Sequence, residues 1–295
     1  MKVHAALPIR ILTHNIRYAA DPPSEGEQPW STRKQYILNE LHYNTLHNPE
    51  AFLLLQEVLH EQIVDIMSGL NSNKSSSQDG GEEWAYIGVG RDDGKQAGEY
   101  SPIIYRPTIW ELEKWATVWL NENGTVGQKG WDAGSVRIVT VGTFKHIASK
   151  RRVVGLCTHF DNAGEVSRRE SAKIVLKLVD FETTPSPSSN CEARIPFFLA
   201  GDLNSEVSGD AYQILSERDS PLQDAKDVAR WRYGNEYTFT GFDESGKEVI
   251  DFVFVGPKSE GDWAVEGYSV LANRFDDGVY DSDHRAVVID AVLRT

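Results

Sequence analysis

Two short polar motifs in the second half of the chain could carry out hydrolytic chemistry. Residues 281–284 read DSDH and residues 201–204 read GDLN. Each adjoins an apolar run, 285–289 after the first motif and 195–200 before the second. Strand ends that carry carboxylates, an amide and an imidazole can form a site for a hard metal ion beside a general base. This donor set suits the attack of water on a phosphate ester.

The individual residues of these motifs have structural as well as functional interpretations. Asp202 and Asn204 alternate, so both side chains should leave one face of a strand end, although an Asx-turn would use the same residues. Asp251 lies inside the apolar run 249–254, where an unpaired charge is costly, so we expect a partner such as a histidine. Asp283 and His284 form the strongest pair, although an Asp-His dipeptide is common.

Four further polar residues stand at the ends of apolar runs. Asn15 follows a run, and turn chemistry is the commoner explanation. Glu57 also follows one, which indicates either a paired or metal-binding carboxylate or the first turn of a helix. Glu99 precedes a run and reads most simply as part of a turn. His159 ends a run within the polar stretch THFDN and is as compatible with a structural role as with a functional one.

The rest of the pattern alternates strands with helices, which would hold these residues at strand ends. Continuous apolar runs indicate strands covered on both faces, and apolar residues at helical spacing indicate amphipathic helices. Helices are predicted from Ser31, as an N-cap, and over 165–181. The predicted strands are 9–14, 51–55, 84–89, 101–105, 136–144, 152–158 paired with it, 196–200, 249–255 and 285–293.

Two segments, 71–83 and 182–194, are rich in Ser, Asn, Gly, Pro and charge. Either could be a domain linker. We expect flexible surface loops within one domain that spans 1–295, because strand-like runs with polar ends continue on both sides of each segment.

Composition places limits on the class of protein. The 295 residues are 40% hydrophobic and 25% charged, as in a globular protein with a core. No apolar stretch approaches the roughly 18 residues of a membrane span, and the N-terminus shows no secretion signal. Cys157 and Cys191 cannot form a disulfide framework, and Cys157 reads as a buried thiol. We therefore expect an intracellular, cytoplasmic protein with no membrane anchor and no evident protein partner.

The net charge of −14 and the sequence pI near 5.0 bear on the substrate. Proteins that bind nucleic acid through its backbone usually present a basic face. This chain would repel a long polyanion unless its 30 Lys and Arg residues cluster. The charge lowers the expectation of a non-specific nuclease without excluding one, because metal ions offset carboxylate charge locally.

Seven short motifs, taken in order, resemble those of the endonuclease/exonuclease/phosphatase (DNase I-like) superfamily. Each is weak alone, but their order over almost the whole chain is specific. Further stretches, 129–133, 158–161, 164–172 and 237–242, are similar to a branch of small stand-alone bacterial and fungal members. The motifs are Asn15, Gln56-Glu57, Gly98-Glu99-Tyr100, Thr158-His159, Gly201-Asp202-Leu203-Asn204, Ile250-Asp251-Phe252 and Ser282-Asp283-His284.

The resemblance implies an α/β fold, a four-layer α/β sandwich of two mixed β-sheets packed face to face with helices outside. It places the site at one end of the sandwich. It also implies that Glu57 holds a divalent metal with help from Asn15 and Asp283. That metal would be Mg²⁺, with Mn²⁺ as a substitute, and oxygen ligands suit both.

The same resemblance implies roles for four catalytic residues. Asp202 would orient or deprotonate the attacking water, and Asn204 would help to place the phosphate. His284 would contact the phosphate or act as the base, oriented by the buried Asp251. A carboxylate partner fixes the tautomer of a histidine, which agrees with the reading of the residues themselves.

His159 would, by the same resemblance, donate to a phosphate oxygen and be oriented by Glu99. The chain departs from the branch at Asn162, where members often carry a histidine. An asparagine donates a hydrogen bond but does not titrate near pH 7, so this position bears on specificity.

The sequence therefore predicts an enzyme, a metal-dependent phosphodiesterase or phosphatase. Its partner would be a phosphoester substrate, either a small molecule or nucleic acid. Two alternatives stay open, a nuclease acting on DNA or RNA and a non-catalytic protein that binds a phosphorylated ligand or a protein. The natural substrate, diesterase against monoesterase activity, one metal against two and the oligomeric state are not determined at this level.

Overall fold

The apolar runs form the strands of two mixed β-sheets in a computed structural model that describes residues 6–72, 82–185 and 193–294. Within these residues the helices are α1 (Trp30–Thr45), α2 (His60–Leu70), α3 (Glu165–Thr183), α4 (Asp210–Ser216) and α5 (Ala225–Val228). The strands are β1 (Leu7–Asn15), β2 (Phe52–Gln56), β3 (Ala85–Ile87), β4 (Ile103–Tyr105), β5 (Trp110–Trp119), β6 (Ile138–His146), β7 (Arg152–His159), β8 (Phe197–Asp202), β9 (Gln223–Asp224), β10 (Trp231–Gly234), β11 (Asp251–Gly256), β12 (Trp263–Val270) and β13 (Val287–Leu293).

The strands of the described residues divide between a seven-stranded and a six-stranded sheet. The first has the order β10-β12-β13-β1-β2-β4-β3 and the second the order β5-β6-β7-β8-β11-β9. Both sheets are mixed, because β1 pairs with β2 and β7 with β8 in parallel while their other neighbours are antiparallel. The predicted pairing of the strand at 152–158 with the one before it is confirmed.

The period of two along each strand sorts side chains between two faces. On β2, Phe52 and Leu54 point to the core between the sheets, where Phe52 lies 5.0 Å from Phe198 of the other sheet between ring centroids. Leu53 and Leu55 pack instead among the residues of α1 and α2. Helices α3 and α4 pack in the same way on the outer face of the second sheet. The layers are therefore helix, sheet, sheet, helix, and the predicted four-layer sandwich is confirmed.

Several local predictions require correction. Helix α1 begins at Trp30 after Pro29, whose carbonyl accepts the first helical N–H groups, so Ser31 is inside the helix and is not the N-cap. Helix α3 continues to Thr183, which shortens the predicted loop at 182–194. Much of both predicted loops, residues 73–81 and 186–192, lies outside the described residues. Strands β5, β9, β10 and β12 and helices α2, α4 and α5 were not predicted.

Two other expectations can be compared with the structure. Cys157 is completely buried between the sheets, and burial raises the pKa of its thiol to about 12. In the parts of the chain that the structure describes, no helix combines the length and apolarity that crossing a membrane requires.

The register of the strands brings the polar strand ends to one edge of the sandwich. Asp202, at the end of β8, pairs with His159 of β7 on one side and with Asp251 of β11 on the other. In the first sheet, Asn15 at the end of β1 pairs with Gln56 at the end of β2. The parallel pairs β1–β2 and β7–β8 thus present their carboxyl ends together, and Asp251 arrives from an antiparallel strand.

Candidate active site

A cavity of about 520 Å³ opens where these strand ends meet. Seven of the nine predicted site residues line it: Glu57, Glu99, His159, Asp202, Asn204, Asp283 and His284. The other two, Asn15 and Asp251, lie directly behind it and bond to residues of its wall. A larger cavity of about 1060 Å³, lined by Glu113, Arg152 and Arg194 among others, contains none of the nine. The chemistry therefore belongs to the smaller cavity.

The backbone around the cavity is strained at several residues that carry the site. Arg17, Glu57 and Asn204 have φ values of 57°, 59° and 46°, in the left-handed region that non-glycine residues rarely adopt. Gly201 has φ 149°, and a Cβ there would overlap the carbonyl oxygen of Thr158 on the neighbouring strand. Strain of this kind persists where the surrounding structure over-determines the conformation, and it concentrates at functional sites.

Asp251, His284 and Asp202 form a buried chain of ionisable groups. Nδ1 of His284 lies 2.8 Å from Oδ2 of Asp251, and Nε2 of His284 lies 3.7 Å from Oδ2 of Asp202. The ring of His284 is also packed edge-on against Phe239, with 5.0 Å between ring centroids. The expected pairing of His284 with the buried Asp251 is therefore present in the structure. Asp251 fixes the ring so that Nε2 faces the cavity.

Asn15 joins the two sheets at the site through one amide group. Its Nδ2 donates to Oε1 of Glu57 at 3.1 Å and to Oδ2 of Asp202 at 3.0 Å, and its Oδ1 accepts the N–H of Arg17. Because a backbone N–H needs an acceptor, this arrangement determines which atom of the amide is oxygen. Asn15 thus holds two carboxylates in place with its nitrogen, while its oxygen is already engaged.

Asn204 and His159 form a second pair on the other side of Asp202. Asn204 Nδ2 donates to the carbonyl of Phe160 and lies 3.0 Å from Nε2 of His159, which must then act as the acceptor. The His159 proton is therefore on Nδ1, 3.7 Å from Glu99, which is too long for a hydrogen bond. Glu99 instead makes its short contact, 2.6 Å, with Arg91. A donor role for His159 towards a phosphate would require Asn204 to release Nε2.

The protonation of the site follows from burial and from the closeness of like charges. Burial, with the neighbouring Asp251 carboxylate, raises the pKa of Asp202 to about 7. Burial alone would lower the pKa of His284, but Asp251, Asp202 and Asp283 together raise it well above its usual range. Burial, with the positive charges of Arg137 and Arg91, holds the pKa of His159 well below its usual range. The two histidines are thus set to opposite charge states.

The oxygen donors around the cavity fit a divalent cation. Burial raises the pKa of Asp283, against the opposing effects of His284 and Arg17, and repulsion from the nearby Glu57 carboxylate adds to the increase. Burial, again with Glu57, raises the pKa of Glu99 to about 7. A bound divalent cation would relieve this repulsion, and carboxylate oxygens are the ligands that Mg²⁺ prefers.

A second cluster of ligand atoms, which includes a histidine, could hold the cation instead. In the described residues, ligand atoms of Asp202, Asp251 and His284 all lie within 4.8 Å of one another. Nδ1 of His284 is already bonded to Oδ2 of Asp251 at 2.8 Å, however, which leaves only Oδ1 of Asp251 without a hydrogen-bond partner among the described residues. The His284 imidazolium already balances the two carboxylates there, as a metal ion would. We therefore favour Glu57 and Asp283 as the residues that could hold the cation.

Besides Asn162, which the sequence singled out only as a departure from the family branch, six residues of the cavity wall were not predicted as site residues: Arg17, Tyr18, Arg91, Ser135, Arg137 and Phe239. Phe239 belongs to the stretch 237–242 that carried part of the resemblance, so a signal for it existed. Arg91 and Arg137 stand in a loop and at the edge of a strand, where an arginine has many structural explanations, and nothing local distinguishes them.

Comparison with protein families identifies one that covers most of the chain. The sequence model described as Endonuclease/Exonuclease/phosphatase family matches residues 12–284, a range that contains all nine predicted site residues. A comparison with curated proteins finds no match to this chain.

Solved structures with the same arrangement cover nearly the whole chain. The endonuclease/exonuclease/phosphatase from Bacteroides vulgatus is 32% identical, has a TM-score of 0.82, and the match covers 97% of this chain and 99% of that one. The mannosyl-6-phosphatase of Bacteroides thetaiotaomicron is 27% identical, with a TM-score of 0.80 and coverage of 97% and 100%. The catalytic domain of human Nocturnin with a bound sulfate is 19% identical, with a TM-score of 0.70 and coverage of 96% and 93%, a likeness of fold alone.

Proposed function

We propose that the chain, which belongs to the endonuclease/exonuclease/phosphatase family, is a divalent-metal-dependent hydrolase of phosphoester bonds in small molecules. The observation that carries the proposal is the Asp251–His284–Asp202 chain, whose cavity-facing end stands beside the carboxylates Glu57 and Asp283. A buried acid–base pair beside a cluster of oxygen donors is the arrangement that water attack on a phosphate requires.

In the proposed mechanism Asp202 accepts the proton of the attacking water while the new P–O bond forms and the ester P–O bond breaks, and the departing alcohol oxygen takes a proton from solvent. Its carboxylate is held through both oxygens, by the N–H of Asn204 at 2.8 Å and the amide of Asn15 at 3.0 Å, so it is oriented before substrate arrives. Burial and Asp251 raise the pKa of Asp202 to about 7, which is well matched to accepting a proton near neutral pH.

His284 acts in this mechanism as a cation. Because its flanking carboxylates hold the pKa of His284 well above the usual range, the ring is an imidazolium whose Nε2–H faces the cavity. It donates to a phosphoryl oxygen and stabilises the charge that develops there. Of the two roles that the resemblance left open, contact with the phosphate therefore has the better support.

Glu57 and Asp283 would hold Mg²⁺ or Mn²⁺, and Asn15 positions the Glu57 carboxylate through its 3.1 Å hydrogen bond. When bound, the metal neutralises charge on the phosphoryl oxygens and lowers the pKa of a coordinated water. His159 holds Asn204 against Phe160 and so supports the second side of Asp202.

Two observations favour a small substrate over nucleic acid. The cavity of about 520 Å³ has the size of a small-molecule site. The net charge of −14 opposes the approach of a long polyanion. The relative named as a mannosyl-6-phosphatase makes a phosphorylated sugar the first class to test.

The test is a hydrolysis screen with and without Mg²⁺ or Mn²⁺, run on sugar, inositol, nucleotide and lipid phosphoesters beside plasmid, single-stranded DNA and RNA. We expect metal-dependent phosphate release from one small-molecule class, abolished by Asp202→Ala and by His284→Ala. Asp290→Ala, which removes only a surface ion pair with Arg10, is the matched control and should keep wild-type rates.

Four outcomes would contradict parts of the proposal. Near wild-type turnover of Asp202→Ala or His284→Ala would refute the mechanism. Nicking or trimming of nucleic acid, with small esters untouched, would make the chain a nuclease. Unchanged Mg²⁺ affinity of Glu57→Gln by calorimetry would remove Glu57 from the ligand set, and metal binding without any turnover would favour a binding protein.

A further inference from the structure

The cavity has a second end, which lies beyond His159 as seen from Asp202 and is rich in hydrogen-bond donors: Nε2 of His159 is 3.4 Å from Asp202, and its Nδ1 is 3.7 Å from Glu99. Arg91, Ser135, Arg137 and Asn162 line this end, together with Glu99. None of them takes part in the mechanism described above. Two guanidinium groups, a hydroxyl and an amide offer far more donors than the single carboxylate can accept.

Arg137 is the best-defined member of this group. Its side chain is only 5% exposed, its Nε bonds to Asp161 at 3.1 Å, and its Nη2 bonds to Oδ1 of Asn162 at 3.0 Å. Its third nitrogen, Nη1, is buried without a hydrogen-bond partner among the described residues. A buried, unsatisfied donor on a cation is costly, and its presence in the wall of a cavity calls for an acceptor.

The carboxylate that pairs with Arg137 is already occupied. Asp161 accepts the backbone N–H groups of Gly134, Ser135, Ala163 and Gly164 in addition to Nε of Arg137. These donors stabilise its negative charge independently of the arginine. Asp161 therefore balances the charge of Arg137 but has no further oxygen lone pair turned to Nη1, which is left as a donor without an acceptor among the described residues.

Arg91 adds a second cation to the same end. Its Nη1 bonds to Glu99 at 2.6 Å, while its Nε is buried and has no hydrogen-bond partner in the parts of the chain described, the nearest acid being Asp92 at 3.9 Å. Both arginines also act on the site, since they add to the effect of burial in lowering the pKa of His159. Asn162 is exposed, and since its oxygen accepts from Arg137, its amide nitrogen is available to a ligand.

We propose that this second end is an anion subsite, formed by Arg91, Arg137, Ser135 and Asn162, that binds a second negatively charged group of the substrate. The inference rests on the proposed function, since the first phosphate would lie at Asp202 and His284. The substrate class is then a small phosphoester that carries a second phosphate or a carboxylate. Paired arginines suit such anions better than neutral hydroxyls.

The test compares matched substrates that differ by one anionic group. The pairs are fructose 6-phosphate with fructose 1,6-bisphosphate, and glycerol 3-phosphate with 3-phosphoglycerate. For at least one pair we expect the doubly charged member to have a kcat/KM about tenfold higher or more, the range of a charge-assisted hydrogen bond.

Asn162→Asp is the decisive variant because it keeps the oxygen that accepts from Arg137 and adds a negative charge at an exposed position. The ratio of kcat/KM within the preferred pair should fall about tenfold or more. Arg137→Gln should do the same, but it also loosens Asp161. Asn39→Asp is the matched control, since Asn39 is an exposed residue of α1 whose oxygen likewise accepts a side-chain N–H, from Gln35. Its ratio should stay at the wild-type value.

The outcomes separate this proposal from the proposed function. Hydrolysis of both members of every pair at similar kcat/KM, or a ratio unchanged in Asn162→Asp, would refute the subsite and leave the hydrolase intact. If no ester is hydrolysed, the proposed function fails, and calorimetry then tests the subsite alone. Tighter binding of fructose 1,6-bisphosphate than of fructose 6-phosphate, lost in Asn162→Asp, would support it, and equal binding would overturn it.

Discussion

Asp202 accepts the N–H of Asn204 through Oδ1, the contact of an Asx-turn, while its Oδ2 faces Asn15 and His284. The Asx-turn and the candidate catalytic role are thus compatible, because Oδ1 forms the turn while Oδ2 remains available to the site. Asp251 differs from Asp202 in that only one of its carboxylate oxygens is engaged. One of its oxygens bonds to His284, and the other is buried without a hydrogen-bond partner among the described residues. Such an arrangement orients a histidine at a cost in stability.

Asp251→Asn tests this positioning role. The neutral amide keeps the shape of the side chain. It no longer requires the Nδ1–H form of His284, and it no longer stabilises the positive charge of that ring. We expect kcat to fall about 10²- to 10⁴-fold while KM changes little, by analogy with triads that lose their carboxylate. The pH profile of kcat should shift at the same time, because the pKa of His284 falls. Steady-state kinetics beside Asp290→Asn is the measurement, and a large loss confined to KM would contradict the role.

At the scale of single elements, the strand pair β7–β8 carries two of the site residues, His159 and Asp202. Gly201 lies in β8 beside Thr158 of β7, and no side chain can be accommodated because a Cβ would overlap the Thr158 carbonyl. The two strands approach closely at this point, immediately before Asp202 and His159. Glycine in the GDLN motif is therefore required by the packing of the backbone.

Gly201→Ala should separate the strands and displace Asp202. We expect the free energy of unfolding to fall by about 3 kcal/mol, from overpacking and an unfavourable φ, together with a large loss of kcat. Gly124→Ala is the matched control, since Gly124 has a positive φ of 65° but no atom within 4 Å of its Cβ position, and about 1 kcal/mol is expected there. Chemical denaturation measures both. Equal losses would mean that φ, not the close approach of β7, determines the effect.

The junction of β9 and α5 predicts a dependence of stability on pH. Burial raises the pKa of Asp224 to about 6, although hydrogen bonds from the Lys226 N–H and the Tyr212 hydroxyl oppose the shift. Between about pH 4 and pH 6 the folded state thus holds a proton that the unfolded chain has lost. Stability therefore falls as pH rises through this window, by about 3 kcal/mol in total.

Asp224→Asn removes this titration and keeps a residue that caps α5 well. The difference in free energy of unfolding between variant and wild type should increase in favour of the variant from pH 4 to pH 6.5 and then level off. Urea denaturation at half-unit intervals of pH gives the difference directly. Parallel stability curves for the two proteins would show that Asp224 does not titrate in this range.

At the scale of the whole molecule, the charge of −14 and the charges of the cavity act at different ranges. The arginines of the site act within the cavity, where the dielectric is low, whereas the net charge governs the approach of large ligands and is screened by salt. A small anionic ester can reach the site because it does not have to lie along the acidic surface.

We therefore expect no detectable binding of duplex DNA at 50 mM salt or above, and no inhibition of small-ester hydrolysis by plasmid. The physical reason is the absence of net positive charge to release counterions from the duplex. Gel retardation and a competition assay at several salt concentrations are the measurements. Binding that weakens steeply with salt would reveal a basic face that the net charge conceals.

The sequence by itself determined the strands that carry the site, β1, β2, β7, β8 and β11, and the order of the polar motifs at their ends. Those features are local, since the period of side chains and the polarity of a strand end can be read from a few neighbouring residues. The tertiary structure decided which ends meet. The register that places Asp202 between His159 and Asp251, and the amide of Asn15 that turns its nitrogen to two carboxylates, depend on contacts between residues far apart in the chain.

The same reason explains what sequence reasoning missed. Arg91 and Arg137 have no distinctive local pattern, and only the folding of two separate segments against Glu99 and Asp161 brings them to one cavity. The start of α1 was misplaced by two residues because Pro29, not a side-chain cap, ends the preceding extended segment. Local periodicity determines the elements, whereas long-range packing determines the charges, tautomers and distances on which the chemistry depends.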